Sequence, residues 1–259
     1  MPSTIDAQAK LFDDCADVYA RYRPRYPDAA LETLVSKLRL NPGALLCDLG
    51  AGPGMLSFLL AEREFRLVAV EPLQEMRRHG AETAIARGLP VAFVGGQAEA
   101  IPVCDISVEA VLCGQAFHWF EAGTALREIH RVLKPGGGLA LLWNNQDWQH
   151  IQWLAEVERL IMKYNPQHDP NYRAKDWAGI LNASQWFRPA EHFEYTYDRY
   201  PEAEEVLGLI ESYSYVRIIP PEAQHQLMQE VTALLEREQP LNRRLLLRYR
   251  TELYLARKE

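Results

Sequence analysis

Residues 45–55, LLCDLGAGPGM, constrain this chain more than any other stretch. A short apolar run ends in three glycines, Gly50, Gly52 and Gly54, spaced G-x-G-x-G, and a helical segment follows at once. An apolar run closed by glycine reads as a buried parallel strand. Glycines at such a turn allow positive φ and the close approach of a ligand to the backbone, and the next helix opens with free N–H groups. The dinucleotide fingerprint is G-x-G-x-x-G, with pyrophosphate on the helix N-terminus. Here Pro53 removes one donor, and Asp48, two residues before the first glycine, would repel pyrophosphate while attracting an ammonium group. The loop suits a nucleoside carrying an amino acid better than a dinucleotide. It also lacks the Gly-Lys-Ser/Thr of a phosphate-cradling loop.

The pattern around this loop predicts an α/β fold. A helix over 28–39 carries Leu31, Leu34, Val35 and Leu38 at helical spacing and stops at Asn41-Pro42-Gly43. Strands are expected at 45–50, 66–71, 91–96, 109–114 and 139–143, separated by helices at 55–64, 73–87 and 121–134, the last ended by Pro135-Gly136-Gly137-Gly138. Alternation with short connections means a mostly parallel, Rossmann-like sheet with helices on both faces. After residue 143 the pattern changes. Strands are expected at 192–200 and 244–257 and helices at 203–216 and 221–237, so an antiparallel pair finishes a seven-stranded sheet. The expected organisation is one domain over 1–259: an N-terminal cofactor-covering segment (1–44), a cofactor-binding core (45–145), an inserted aromatic-rich cap (146–191) and C-terminal strands and helices (192–259). Five of the six tryptophans fall between Trp143 and Trp186. They predict either a small satellite core or the wall of an apolar pocket, and the two are compatible.

Composition narrows the partners. With 28 Lys+Arg against 35 Asp+Glu, the net charge of −7 argues against a broad nucleic-acid or anionic-membrane surface. The opening MPSTIDAQAKLFDD lacks the basic and apolar regions of a signal peptide, and no apolar run approaches the length of a membrane span. Cys15, Cys47, Cys104 and Cys113 show no CxxC spacing and are expected to be buried, reduced thiols of a cytoplasmic protein. No His, Asp, Glu or Cys cluster has metal-ligand spacing. The oligomeric state is not encoded in any pattern found.

Two further strand ends carry chemistry. Glu71, 21 residues past Gly50, can accept both hydroxyls of a ribose. GGQAEAIP (95–102) offers Gln97 and its backbone to an adenine edge, and CGQAFHWF (113–120) ends the fourth strand, where open α/β sheets bind ligands.

Taken in order, DLGAGPG, VAVEP, GQAEAIP, GQAFHWF and EIHRVLKPGGGLALLWNN resemble class I S-adenosylmethionine-dependent methyltransferases. Within them the nearest likeness is to the type 11 methyltransferase domain, of the trans-aconitate methyltransferase kind. The strong match spans roughly 45–145, and YRPRYP (22–27) is similar to the opening segment of that branch. The resemblance implies S-adenosylmethionine as cofactor, with Asp48, Gly50, Ala51 and Gly52 at its methionine end. It implies Glu71 and Pro72 at the ribose, Gln97, Ala98 and Glu99 at the adenine, and Gln115 beside the sulfonium. Many relatives carry Asp where this chain has Gln97. Tyr22 and Arg23 would close over the cofactor, Arg23 toward its carboxylate.

Methyl transfer is an in-line displacement at a carbon that the cofactor has already activated. The enzyme's main tasks are alignment and water exclusion, which supply roughly 7–11 kcal/mol. His118 is the histidine the motif sets near the reacting carbon, either as a base or as a packing residue between Phe117 and Trp119. Phe117, Trp119, Asn144 and Trp148 are the candidate acceptor-binding residues. The leading expectation is an enzyme that methylates a small molecule. Methylation of RNA or protein, and a non-catalytic cofactor-binding module that regulates a partner, stay open beside it.

Overall fold

The computed structural model describes residues 21–171, 175–187, 190–238 and 244–258. Residues 1–20 of the expected cofactor-covering segment, Cys15 among them, lie outside the described residues. Strands Leu45–Leu49 (β1), Arg66–Val70 (β2), Val91–Val94 (β3), Val108–Gly114 (β4), Leu133–Gln146 (β5), Glu191–Arg199 (β6) and Leu247–Arg257 (β7) form one sheet in the order β3-β2-β1-β4-β5-β7-β6. The first five strands pair in parallel. β7 runs antiparallel between β5 and β6. The chain winds outward through β2 and β3, then returns to place β4 on the other side of β1. The carboxyl ends of β1 and β4 therefore flank the crevice where connections diverge, the ligand position of open α/β sheets.

Helices cover both faces. Asp28–Leu38 (α1) and Met55–Ala61 (α2) lie on one side, where Leu31, Leu34, Leu56 and Leu60 meet Leu46, Leu112 and Leu142 of the sheet. In α1 the buried residues recur at helical spacing, and Asp28 sits in the first turn, where the helix dipole favours an acid. Gln74–Ala86 (α3) follows β2. On the opposite face Ala122–Val132 (α4) buries Ala125, Leu126, Ile129 and Val132 against Cys47, Val111, Leu139 and Leu141. Glu121 caps α4 by accepting from the Gly123 and Thr124 N–H groups.

The chain from α4 into β5 departs from expectation. The helix ends at Val132, and β5 begins at Leu133 instead of 139. Leu133 pairs with Val108 and Gly138 pairs with Ala110, so five steps on β5 match two on β4. Pro135 and the glycines are absorbed as a bulge, with Gly136 at φ +73°.

A third cluster joins Gln152–Tyr164 (α5), Ala203–Glu211 (α7), Ser214–Arg217 (α8) and Pro221–Glu238 (α9) over the upper end of β7. It contains Trp153, whose indole donates to Leu246 O at 3.0 Å. Trp177–Ala183 (α6) instead packs on the sheet, and Trp177 stacks on fully buried Trp143 at 4.7 Å and 10°. Trp186 lies against the His130 ring at 4.9 Å. Four of the five clustered tryptophans are thus packing residues. Cys47 and Cys113 are buried free thiols as expected, whereas Cys104 is exposed, because its turn before β4 lies at the surface.

Candidate active site

A cavity of about 310 Å³ opens along the carboxyl ends of β1, β2, β4 and β5. Its floor is the glycine loop. Gly50, Gly52 and Gly54 take φ of +69°, +55° and +92°, the left-handed region that only glycine visits without cost. A Cβ at Gly50 would lie 2.6 Å from the Ala116 Cβ, so the loop meets the end of β4 only because that atom is missing. The Gly52 N–H donates to Glu71 Oε2 at 2.9 Å, tying the β1 loop to the end of β2.

Two buried acids face this floor. Asp48 is 1% exposed; its Oδ2 accepts from the Ser57 hydroxyl at 2.7 Å, and its Oδ1 has no hydrogen-bond partner. Burial pushes its pKa up to about 7, with the Ser57 hydrogen bonds opposing and nearby Glu71 adding to the rise. Glu71 accepts from Leu73 N through Oε1 and from Gly52 N through Oε2. Burial raises its pKa too, against the pull of those N–H groups and of Arg77.

Gln115 stands at the end of β4 with φ +58°, a strained value for a residue with a Cβ. Its N–H donates to Leu142 O at 2.8 Å and its Nε2 to Asn144 O at 3.0 Å. These bonds orient the amide and leave buried Oε1 without a partner. Asn144 also lines the cavity, yet its amide is a structural bridge. Nδ2 donates to Arg25 O at 3.3 Å and Oδ1 accepts from Thr251 at 2.6 Å.

Residues 23–26 lie over this end of the sheet. Arg23 lines the cavity, with its guanidinium donating to Ser212 O at 2.9 Å and lying 4.8 Å from the Tyr213 ring centroid. Tyr22 is not a lining residue; its ring packs on Gly208, where no Cβ would fit. The far side of the cavity is aromatic and polar. Trp119, Trp148, Tyr213, Tyr215, Tyr249 and Tyr254 line it, as do Glu158 and His168. His168 Nε2 and Glu158 Oε2 are 3.1 Å apart, and both residues are 8% exposed.

The structure thus brings Arg23, Asp48, Gly50, Ala51, Gly52, Glu71, Pro72, Gln115, Trp119, Asn144 and Trp148 to one cavity. It does not bring the others. His118 Nδ1 accepts from the Trp143 indole at 3.3 Å, outside the lining. Phe117 turns into the core, edge-on to Phe120 and Trp177. Ala98 is buried in that core, Glu99 accepts from the Glu121 N–H at 2.8 Å, and Gln97 is exposed outside the lining. For the residues after β4 the reason is local. The 3-10 turn Phe117–Trp119 rolls alternate side chains to opposite sides, sending Trp119 outward to the rim at 53% exposure.

The Glu158–His168 pair was missed by sequence reasoning. Its one signal is an acid inside the apolar stripe of α5, where Trp153, Leu154, Val157 and Ile161 are its buried neighbours.

Comparison with known proteins shows the family and the fold. A methyltransferase domain model matches residues 47–141. An uncharacterized methyltransferase-like protein of Schizosaccharomyces pombe is 30% identical over 251 residues, covering 95% of this chain and 94% of that one. A crystal structure of a putative methyltransferase from an antibiotic biosynthesis pathway of Anabaena variabilis superposes with a TM-score of 0.63 at 19% identity, over 90% of this chain and 98% of that one. Phospholethanolamine N-methyltransferase 2 of Haemonchus contortus, in complex with phosphomonomethylethanolamine and S-adenosylhomocysteine, matches with a TM-score of 0.59 at 14% identity. That match covers 98% of this chain and 59% of the other.

Proposed function

This chain belongs to the class I S-adenosylmethionine-dependent methyltransferases, and from that premise we propose that it methylates a small molecule held in the aromatic half of the cavity. The cofactor supplies a methyl group already activated on a sulfonium sulfur.

The residues present fit that cofactor. Asp48 Oδ1 is a buried acceptor without a partner, in a site whose low polarisability drives the carboxyl toward its neutral form. A cationic group beside it would restore the charged form and satisfy the oxygen. Glu71 carries two oxygens that each accept one backbone N–H, leaving lone pairs for hydroxyl donors. Gly50 and Gly52 keep the floor free of side chains. We assign Asp48, Gly50, Ala51, Gly52, Glu71, Pro72 and Gln115 to the cofactor, and Trp119 and Trp148 to the acceptor.

The observation that carries the small-molecule reading is the shared cavity. One space of about 310 Å³ runs from the glycine loop to the tyrosines of α8 and β7. That volume belongs with pockets for small ligands, and a net charge of −7 speaks against a nucleic-acid surface. Within it the protein's work is alignment: Gln115 holds the end of β4 rigid, and the aromatic walls set the plane of the acceptor and displace water.

Calorimetry with S-adenosylmethionine and S-adenosylhomocysteine tests the cofactor half, and binding of both is expected. Transfer of a labelled methyl group to the low-molecular-weight fraction of a cell extract tests the acceptor half. Label appearing only in RNA or protein would overturn the small-molecule reading while leaving the cofactor assignment intact.

A further inference from the structure

Glu71 reaches the cavity from a turn that the sheet itself does not hold. β2 pairs with β3 only as far as Val70 and Val94, and the Glu71 N–H donates to Val94 O at 3.1 Å. β3 ends at Val94, so the carbonyls of Glu71 and Pro72 lie beyond the last pair of the two strands. A side chain takes the place of the missing ladder. From the first turn of α3, Arg77 Nη1 donates to Glu71 O at 2.8 Å and to Pro72 O at 2.6 Å. Two successive carbonyls thus converge on one guanidinium nitrogen.

Arg77 stands behind the site and is not among the residues that line the cavity. Its place depends on a small neighbour after β3. A Cβ at Gly95 would lie 3.2 Å from Arg77 Cζ and 3.4 Å from Nη2, pressing on the guanidinium. From there Arg77 acts on Glu71 in two ways. It pins the backbone of the turn in which Glu71 Oε1 accepts from Leu73 N and Oε2 from Gly52 N. Its charge also favours the carboxylate, against the burial that pushes the carboxyl up. That form matters for a diol. A carboxylate can accept from two hydroxyls at once, whereas a neutral carboxyl turns one of its oxygens into a donor. A guanidinium, with several donors in a rigid fork, suits a pair of adjacent carbonyls better than a point charge would.

We propose that Arg77 is the positioning residue of Glu71, holding the turn after β2 so that both carboxylate oxygens meet the two hydroxyls of a ribose as a pair. This rests on the assignment of Glu71 to the cofactor made above.

The test is calorimetry on the full chain with S-adenosylhomocysteine and its 2′,3′-dideoxy analogue, which differ only in the diol. The unmodified protein is expected to prefer the ribose form by about 10-fold, the worth of hydrogen bonds to a charged group. Arg77→Leu is expected to bind the dideoxy form nearly as the unmodified protein does and the ribose form more weakly, so that the preference shrinks to about 2-fold. A merely structural role would weaken both forms alike. An undiminished preference in Arg77→Leu therefore overturns the proposal while leaving Glu71 at the diol. Should Arg77→Leu not fold, Arg77→Gln decides, because it keeps a donor but loses the charge and the fork. Its preference is expected to fall at least to about half, and an unchanged one overturns the proposal. Equal binding of the two forms by the unmodified protein, or binding of neither, is a failure of the Glu71 assignment itself and overturns the proposal with it.

Discussion

The two halves of the cavity are built by opposite means. The half proposed for the cofactor comes from three neighbouring strand ends between Asp48 and Gln115, and backbone does much of the work there: positive-φ glycines, the Gly52 and Leu73 N–H groups and two buried acids. The half proposed for the acceptor draws Trp119 from the turn after β4 and the rest of its side chains from β5, α5, the turn after it, α8 and β7, over residues 144 to 254. Backbone geometry tolerates little change, whereas a side-chain wall can be altered one residue at a time. The first half therefore suits an invariant ligand and the second a variable one.

Substitutions can break this comparison. The largest effect is expected at Gly50→Val, where a side chain meets Ala116 in a left-handed backbone. Cofactor affinity should fall at least about 100-fold by calorimetry, since clash and φ strain together exceed a few kcal/mol. Retained affinity would show that the floor is not rigid. Next comes a pair of tryptophans, compared by urea unfolding. Trp177→Ala removes the stack on Trp143 and should cost about 3–5 kcal/mol of stability. Trp119→Ala, at the exposed rim, should change stability by less than ~0.5 kcal/mol and act on acceptor KM alone.

Asp48→Asn is expected to weaken S-adenosylmethionine binding by roughly 10-fold or more, the worth of a charged hydrogen bond. It also carries a pH signature. The Asp48 pKa rises from 3.8 to about 7 on folding, so the folded protein holds the proton more tightly than the unfolded chain. Its stability should therefore fall as pH rises from about 4 through 7. The Asn variant should lose that slope in thermal melts at pH 5 and pH 8, and an unchanged slope would place the titration elsewhere. The mildest cofactor-site change is Glu71→Gln, which keeps one acceptor oxygen. A loss of about 1 kcal/mol in cofactor binding is expected, and an unchanged dissociation constant would remove Glu71 from the site.

Much of the cofactor half is readable in the sequence because its determinants are local. Asp48, the glycines and Glu71 sit at strand ends whose apolar runs announce themselves, and the spacing between them follows from one strand–helix–strand unit. The acceptor half is not readable in this way. Phe117 and Trp119 are two residues apart, yet a short turn sends one to the core and the other to the rim. Trp143 and Trp148 read alike, yet β5 runs on past Trp143 and buries it under α6. Pro135 and its glycines read as a stop but are tolerated in a bulge.

The sequence alone determined the alternation of strands and helices, the parallel sheet and the glycine floor, because periodicity and turn chemistry act over a few residues. Tertiary structure alone decided which aromatic side chains wall the cavity and that Glu158 meets His168. Those outcomes depend on helices and strands distant in the chain packing against one another, and on a buried charge being stable only where such packing delivers its partner.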